Sequence, residues 1–368
     1  MIRVRTGVVR EVVAERPGLQ ELRVEVDGGE AAAVAYPGLT GAVAAGDSVV
    51  LNTTAVDLGL GTGGHHFVIA RVPQPDLDPA PAGHVMKLRY TPAQVKVASV
   101  EEQSSPDHGA LSTARSLDGL PVVWAPLHSM LGAVAAGARA AGAGRIVHVM
   151  TDGAALPAAY SRQLHVLREA ALVDSVVTAG HAFGGDLEAV NVFSALLAAR
   201  TVSGADVVIV GDGPGKVGTG TPFGASEVAG GMTLNAAHAL GGRPVATLRI
   251  NLADPAYRHY GLSPHSITVL GTVALASVHV AVPVLEEDPR ERVWSALRDA
   301  GLHERHQLVE VNGRPALDLM AERGVGGETM GRPLADDPAF FLAAGAAGVL
   351  AARMAAKDAA WKGERSEH

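Results

Sequence analysis

The sequence predicts an α/β protein: a mainly parallel sheet covered by helices on both faces, preceded by a small N-terminal antiparallel β-barrel. Three observations predict it. From Leu120 onward, short apolar runs (PVVWA, RIVHVM, SVVTA, DVVIV) alternate with helical segments, the pattern of βαβ units whose strands are buried on both sides. Before residue 73 the runs are short, alternate in polarity and are parted by turn residues every few positions, the spacing of a small barrel. Between the two, VPQPDLDPAPAG (72–83) carries four prolines and no apolar period, so it reads as a stiff linker. The expected organisation is a β-module over 1–75, a linker over 76–83 and an α/β domain over 84–362.

In the first segment VRTGVVREVV, LQELRVEV, EAAAVAY, GDSVVLNTT and HHFVIARV are strand-like, with no helical period among them. Asp27-Gly28 is a hairpin signal, because both residues tolerate the positive φ that a two-residue turn needs. No lysine precedes Lys87, which excludes a lipoyl- or biotin-carrier barrel. His65 and His66 are adjacent, so a strand would point them to opposite faces. After the linker, HVMKLRY would place Lys87 and Arg89 on one face of a strand. Beyond it the expected helices are LHSMLGAVAAGARAAG, LPAAYSRQLHVLREAAL, EAVNVFSALLAARTVSG, ASEVAGGMTLNAAHALGG and 266–277, with strands VATLRI and VHVAVPV between and after them. The last helix, DPAFFLAAGAAGVLAARM, is apolar nearly all round and should be buried. Its Gly345 and Gly348 permit a close helix approach, either within the core or at a homodimer seam.

Composition narrows the function. Hydrophobic residues make up 48% and charged residues 18% of 368, which supports large cores. A net charge of −8 gives no bulk attraction to nucleic acid or to anionic lipid. Cys is absent, so disulfides and thiolate metal sites are excluded. The first residues carry charges and no apolar h-region, and Phe340–Ala352 is too short to span a bilayer. A cytoplasmic protein without membrane or nucleic-acid partners is expected. Lysines number five (Lys87, Lys96, Lys216, Lys357, Lys362) among 30 Lys and Arg; a lysine where arginine is the habit suggests a need for a compact ammonium.

In open α/β sheets, ligands sit outside the carboxyl ends of the strands. Each expected strand gives way to polar residues: His128 and Ser129 after PVVWA; Thr151, Asp152 and Gly153 after RIVHVM; His181, Asp186 and Glu188 after SVVTA; Asp212 onward after DVVIV; Asn251, His259, Tyr260 and His265 after VATLRI. His128, Asp152, His181 and Asp186 are the candidate catalytic groups. The histidines, His259 and His265 included, suit acid–base chemistry near neutral pH. Asp152, Asp186, Asp212 and Glu188 could hold a divalent metal such as magnesium through oxygen. No H-E-x-x-H pair occurs, so a zinc site would need ligands from separate loops.

The densest signal is VIVGDGPGKVGTGTP (208–222). It is not a P-loop: Gly211, Gly215 and Lys216 are one residue short of that spacing, and Val217 stands where a hydroxyl is needed. Gly213, Gly215 and Gly218 match G-x-G-x-x-G, but Thr219-Gly220-Thr221-Pro222 keeps the chain in loop where a dinucleotide fold needs a helix. Two readings remain. The loop 211–221 cradles an anion, through Gly211, Asp212, Gly213, Gly215, Lys216, Gly218, Thr219 and Thr221, ahead of a helix opening near Pro222. Otherwise its glycines serve tight sheet–helix packing.

GHVMKLRYTPAQ, TDGAALPAAYSR, TAGHAFGGDLEAVNVFSALLAAR and GPGKVGTGT resemble a bacterial family known as domain of unknown function 3866, over nearly the whole chain. That resemblance implies a cytoplasmic bacterial protein and carries over no catalytic residue. Two functions stay open: an enzyme acting on a small anionic, phosphorylated metabolite, or a non-catalytic metabolite-binding regulator or scaffold.

Overall fold

The computed structural model describes residues 2–60, 63–80, 82–253 and 260–366, with side chains as far as 356. The chain divides into two compact units, Met1–Val97 and Ala98–His368.

In the first unit, β1 (Val4–Arg16), β2 (Leu19–Val26), β3 (Gly29–Ala35), β4 (Ser48–Asn52) and β5 (His66–Val72) form a closed barrel in the order β1-β2-β3-β5-β4. Every pair is antiparallel except β3–β5, which runs parallel from Ala33 to Val34. Asp27 (φ 52°) and Gly28 (φ 79°) make the tight β2–β3 turn that their types favour. Inward-facing Val9, Leu22, Val24, Val49 and Leu51 fill the interior. Two single helical turns, α1 (Pro37–Thr40) and α2 (Thr54–Asp57), interrupt the strands, which the polarity pattern did not foretell. The hairpin β6 (Val85–Lys87) and β7 (Val95–Val97) completes the unit, beyond the proline-rich 76–83. Here β6 stops at Lys87 and Leu88 turns left-handed (φ 51°), so Lys87 and Arg89 do not share a strand face. Arg89 turns its guanidinium to the carbonyl of Met86 at 3.2 Å.

The second unit opens with α3 (His108–Thr113) and then builds its sheet from β8 (Pro121–Trp124), β9 (Ile146–Thr151), β10 (Ser175–Ala179), β11 (Leu187–Ala189), β12 (Val207–Asp212) and β13 (Arg243–Thr247). The helices between them are α4 (Leu131–Ala140), α5 (Arg162–Glu169), α6 (Val192–Thr201) and α7 (Gly230–Ala239). A small pair, β14 (Ile250–Asn251) with β15 (Gly261–Leu262), and the short α8 (Pro264–Thr268) come next. The sheet resumes in β16 (His279–Pro283) and, after α9 (Glu287–Asp299) and α10 (Leu302–Arg305), in β17 (Gln307–Val311). Then come α11 (Arg314–Glu322), the hairpin β18 (Glu328–Thr329) and β19 (Arg332–Pro333), and α12 (Pro338–Ser366). The eight-stranded order is β11-β10-β9-β12-β8-β13-β16-β17, parallel throughout.

Strand β9 shows why the strands read as unbroken apolar runs. Ile146 and Met150 belong to the core under α4, α5 and α12, while Val147 and Val149 face the core under α6 and α7. The helix α12 crosses α4 at very short range. A Cβ on Gly348 would lie 2.0 Å from the carbonyl oxygen of Val134, and one on Gly137 2.3 Å from that of Gly345. The glycines of the last helix therefore serve a crossing within the chain. The segment Pro338–Ala356 is, by length and composition, long and apolar enough to cross a membrane, unlike the shorter stretch read from sequence. In that helix, 78% of the apolar window is buried inside the protein.

Adjacent strands β8 and β12 send their following helices, α4 and α7, to opposite faces. Helices diverging in this way open a crevice at the carboxyl edge.

Candidate functional site

At that edge β12 and β9 end in register, Asp212 opposite Thr151. The Asp212 side chain accepts hydrogen bonds from Thr151 Oγ1 and, at 3.3 Å, from the amide of Gly153. It also pairs with the ammonium of Lys216, four residues on. Asp212 is 8% exposed, so this carboxylate is compensated where it stands.

The glycines explain how Lys216 returns to Asp212. A Cβ on Gly213 would sit 2.5 Å from the Ala155 carbonyl oxygen, and the loop is tied there by Ala155 N–H donating to Pro214 at 2.9 Å. Gly215 takes φ 106°, which L side chains rarely adopt. Beyond Lys216 the loop closes on itself. Gly218 bridges Ala225, Thr219 N–H donates to Gly224 O at 2.8 Å, and the Thr219 and Thr221 hydroxyls lie 3.0 Å apart. Those two hydroxyls are therefore engaged within the loop. The helix expected near Pro222 starts later, with a 3-10 turn over Ser226–Ala229 leading into α7 at Gly230.

Two cavities flank Lys216. The larger, about 930 Å³, lies under the loop and is lined by His128, Lys216, Glu227, Arg249, His265 and Met330 among others. The smaller, about 270 Å³, is lined by Trp124, Asp152, Asn191, Asp212, Lys216 and Thr233 among others. Among the described residues, only one of the three N–H groups of Lys216 is taken, by Asp212.

Across the larger cavity stands a second charged group. Glu227, 3% exposed, accepts from Arg249 Nη1 at 3.2 and 3.4 Å, and His265 Nδ1 is 3.1 Å from its Oε1. His265 Nε2 lies 3.2 Å from the carbonyl oxygen of Thr221. His128 differs. Its Nδ1 donates to the Asp212 carbonyl at 3.0 Å, and its Nε2 accepts from Ser161 Oγ at 2.6 Å. Burial pushes His128 down to about 4, against the pull of the Asp212 carbonyl, with Lys216 adding to the depression. The neighbouring His148 is pushed to about 3, by burial first and His128 second, and its Nε2 has no partner among the described residues.

The remaining candidates separate. Asp152 reaches the smaller cavity and accepts from His181 N–H at 2.9 Å. The His181 ring is not among the groups lining either cavity. Asp186 lies at the other end of the sheet. The chain doubles back after β10, so Asp186 accepts from the amide of Val176 at 2.8 Å and pairs with Arg168 at 2.8 Å, at the start of that strand. Sequence order placed it after a strand, but the loop 180–186 carries it back to the amino end. Glu188 accepts from Thr178 Oγ1 and Gly184 N–H, both at 2.7 Å, and ties that same loop. No group of three or more His, Asp or Glu positioned to hold a metal occurs among the described residues. His259 lies outside the described residues. Glu227 and Arg249 were missed. Their signals are a single acid inside the apolar ASEVAGG and a single cation ending VATLR.

A doubly wound α/β unit with a charged crevice at its carboxyl edge is thus joined to a closed five-stranded barrel. The chain belongs to the family described as protein of unknown function DUF3866, whose model matches residues 32–348. Neither a curated protein nor a solved structure matches it.

Proposed function

We propose that the chain binds a small anionic, phosphorylated metabolite in the larger cavity and acts on it as an enzyme. The observation that carries this reading is the charge on the cavity walls. Lys216 and Arg249 bring two fixed cations to this cavity, where Glu227 is the single carboxylate among the described lining residues; the carboxylate that answers Lys216, Asp212, lines the smaller cavity. The two N–H groups that Lys216 keeps are donors to an incoming oxyanion, each charge-assisted bond contributing about 1.5–3 kcal/mol. His265, held by a buried carboxylate, is the acid–base candidate. His128 is unsuited to that role, since burial pushes its ring down to about 4 and keeps it neutral near pH 7.

The test is thermal stabilisation by inorganic phosphate and a panel of phosphorylated metabolites, on wild type, Arg249→Gln and the charge-neutral double variant Lys216→Met/Asp212→Asn. A rise in Tm for wild type that both variants lose supports the reading. Equal rises in all three proteins refute it. The engagement of Lys216 and His128 within the protein favours a second reading, a non-catalytic metabolite sensor. Phosphorus NMR of a stabilising ligand separates the two, because a sensor leaves its ligand unchanged.

A further inference from the structure

We infer that the smaller cavity is a polyol subsite, so that the ligand is a sugar phosphate or a similarly hydroxylated phosphate, its hydroxyls in the smaller cavity and its anion in the larger. The inference rests on the proposed anion reading and adds the substrate class.

The walls of the smaller cavity decide it. Asp152 and Asp212 supply two carboxylates, Lys216 one ammonium, and Asn191 and Thr233 uncharged polar groups. A bare anion entering there meets two carboxylates against one cation and is disfavoured. A metal ion finds no group of three or more carboxylates or histidines among the described residues, and an organic cation must share the carboxylates with Lys216, already paired with Asp212. A hydroxyl escapes both objections, because it donates to a carboxylate and accepts from an ammonium at once. Asp152 is placed for it. One carboxylate oxygen is used by the His181 amide at 2.9 Å, and no bond to its other oxygen is found among the described residues. A carboxylate with an unspent oxygen beside a cavity is the group that grips sugar hydroxyls in dinucleotide folds.

Two glycines let the wall of that cavity pack closely. A Cβ on Gly180 would fall 2.3 Å from Asp152 Oδ2, and one on Gly230 1.9 Å from Trp124 Nε1. Any side chain at either place would displace the wall. The smaller cavity, about 270 Å³, lies near the lower end of the size range of small-molecule sites. Lys216 lines both cavities, which puts a single ammonium at the junction between the hydroxylated body and the anion.

Isothermal titration of the full chain tests this with four probes: inorganic phosphate, ribose 5-phosphate, 2-deoxyribose 5-phosphate and ribitol. Ribose 5-phosphate should bind about tenfold or more tighter than inorganic phosphate, and the deoxy analogue should lose part of that gain. Asp152→Asn, which keeps an acceptor for the His181 amide, should remove most of the sugar gain and leave phosphate affinity unchanged. Weak ribitol binding that Asp152→Asn abolishes would support the subsite independently of any anion. Equal affinity for phosphate and both sugar phosphates, or a sugar gain untouched by Asp152→Asn, overturns the polyol subsite and leaves the anion reading standing. Failure of inorganic phosphate and both sugar phosphates to bind overturns both.

Discussion

The two walls of the larger cavity hold the same kinds of residue and use them differently. On the β12 side, Lys216 and His128 line the cavity and are satisfied from behind it by Asp212, Thr151 and Ser161: acid with cation, hydroxyl with carboxylate, neutral ring between a carbonyl and a hydroxyl. On the opposite wall, Arg249 and His265 share the single carboxylate of Glu227. The first wall is closed in hydrogen bonds and charge apart from two N–H groups of Lys216; on the second, a guanidinium and an imidazole share one carboxylate. Residue type therefore does not mark the ligand-binding wall here. The balance of donors and acceptors around each group does.

The largest effect should come from breaking the closed wall. Lys216→Met strips the cation from a buried carboxylate, a change that costs about 3–5 kcal/mol. The low end is expected, since Thr151 and Gly153 still donate to Asp212. Adding Asp212→Asn should restore most of the loss, which urea unfolding would show as a recovered midpoint. If Lys216→Met is as stable as wild type, the wall is not closed in the sense argued.

Next in size is the response to acid. The folded-state values of His128 and His148 lie near 4 and 3, below the ordinary 6.5. As pH falls below 6.5 the unfolded chain takes up these protons before the folded chain does. Stability from the two rings is complete above 6.5 and drains away as pH drops toward 4. Each contributes about 1 kcal/mol per pH unit in that window, so about 3 kcal/mol should vanish between pH 7 and pH 5. His148→Gln should flatten the slope of urea midpoint against pH by about half. An unchanged slope would show that other groups govern acid stability.

The sheet and barrel were legible because both signals are local: continuous apolar runs for strands covered on two faces, and a hairpin turn that needs positive φ at Asp27 and Gly28. Polar residues at strand ends were also readable, and Asp152, Asp212, Lys216 and His128 do line the carboxyl-edge cavities. Asp186 was misplaced because Gly180, Gly184 and Gly185 mark turns after β10 without fixing that the chain returns to the amino end before β11. Pairing was the harder matter. That Lys216 answers Asp212 depends on Gly215 turning the chain back, and that Glu227 meets Arg249 across 22 residues depends on where α7 and β13 lie in space. Periodicity carries neither fact.

The smallest effect separates a structural hydroxyl from a functional one. Ser161 resembles a nucleophile: its Oγ is 2.6 Å from His128 Nε2, and the other ring nitrogen is oriented by a carbonyl. That oxygen, however, also accepts the amide of Leu164 at 2.9 Å as the N-cap of α5, and the residue is 3% exposed. With its proton directed to His128 and one lone pair on the helix, its remaining lone pair is shut off from a substrate by burial. Ser161→Ala should therefore cost about 1–2 kcal/mol through the lost cap and the orphaned ring nitrogen. Ser161→Thr, which keeps the oxygen, should cost less. Affinity for inorganic phosphate should be the same in both variants as in wild type, because neither Arg249 nor Lys216 is touched. A Ser161→Ala protein with wild-type stability but altered phosphate affinity would reverse the assignment and make Ser161 a group that meets the ligand.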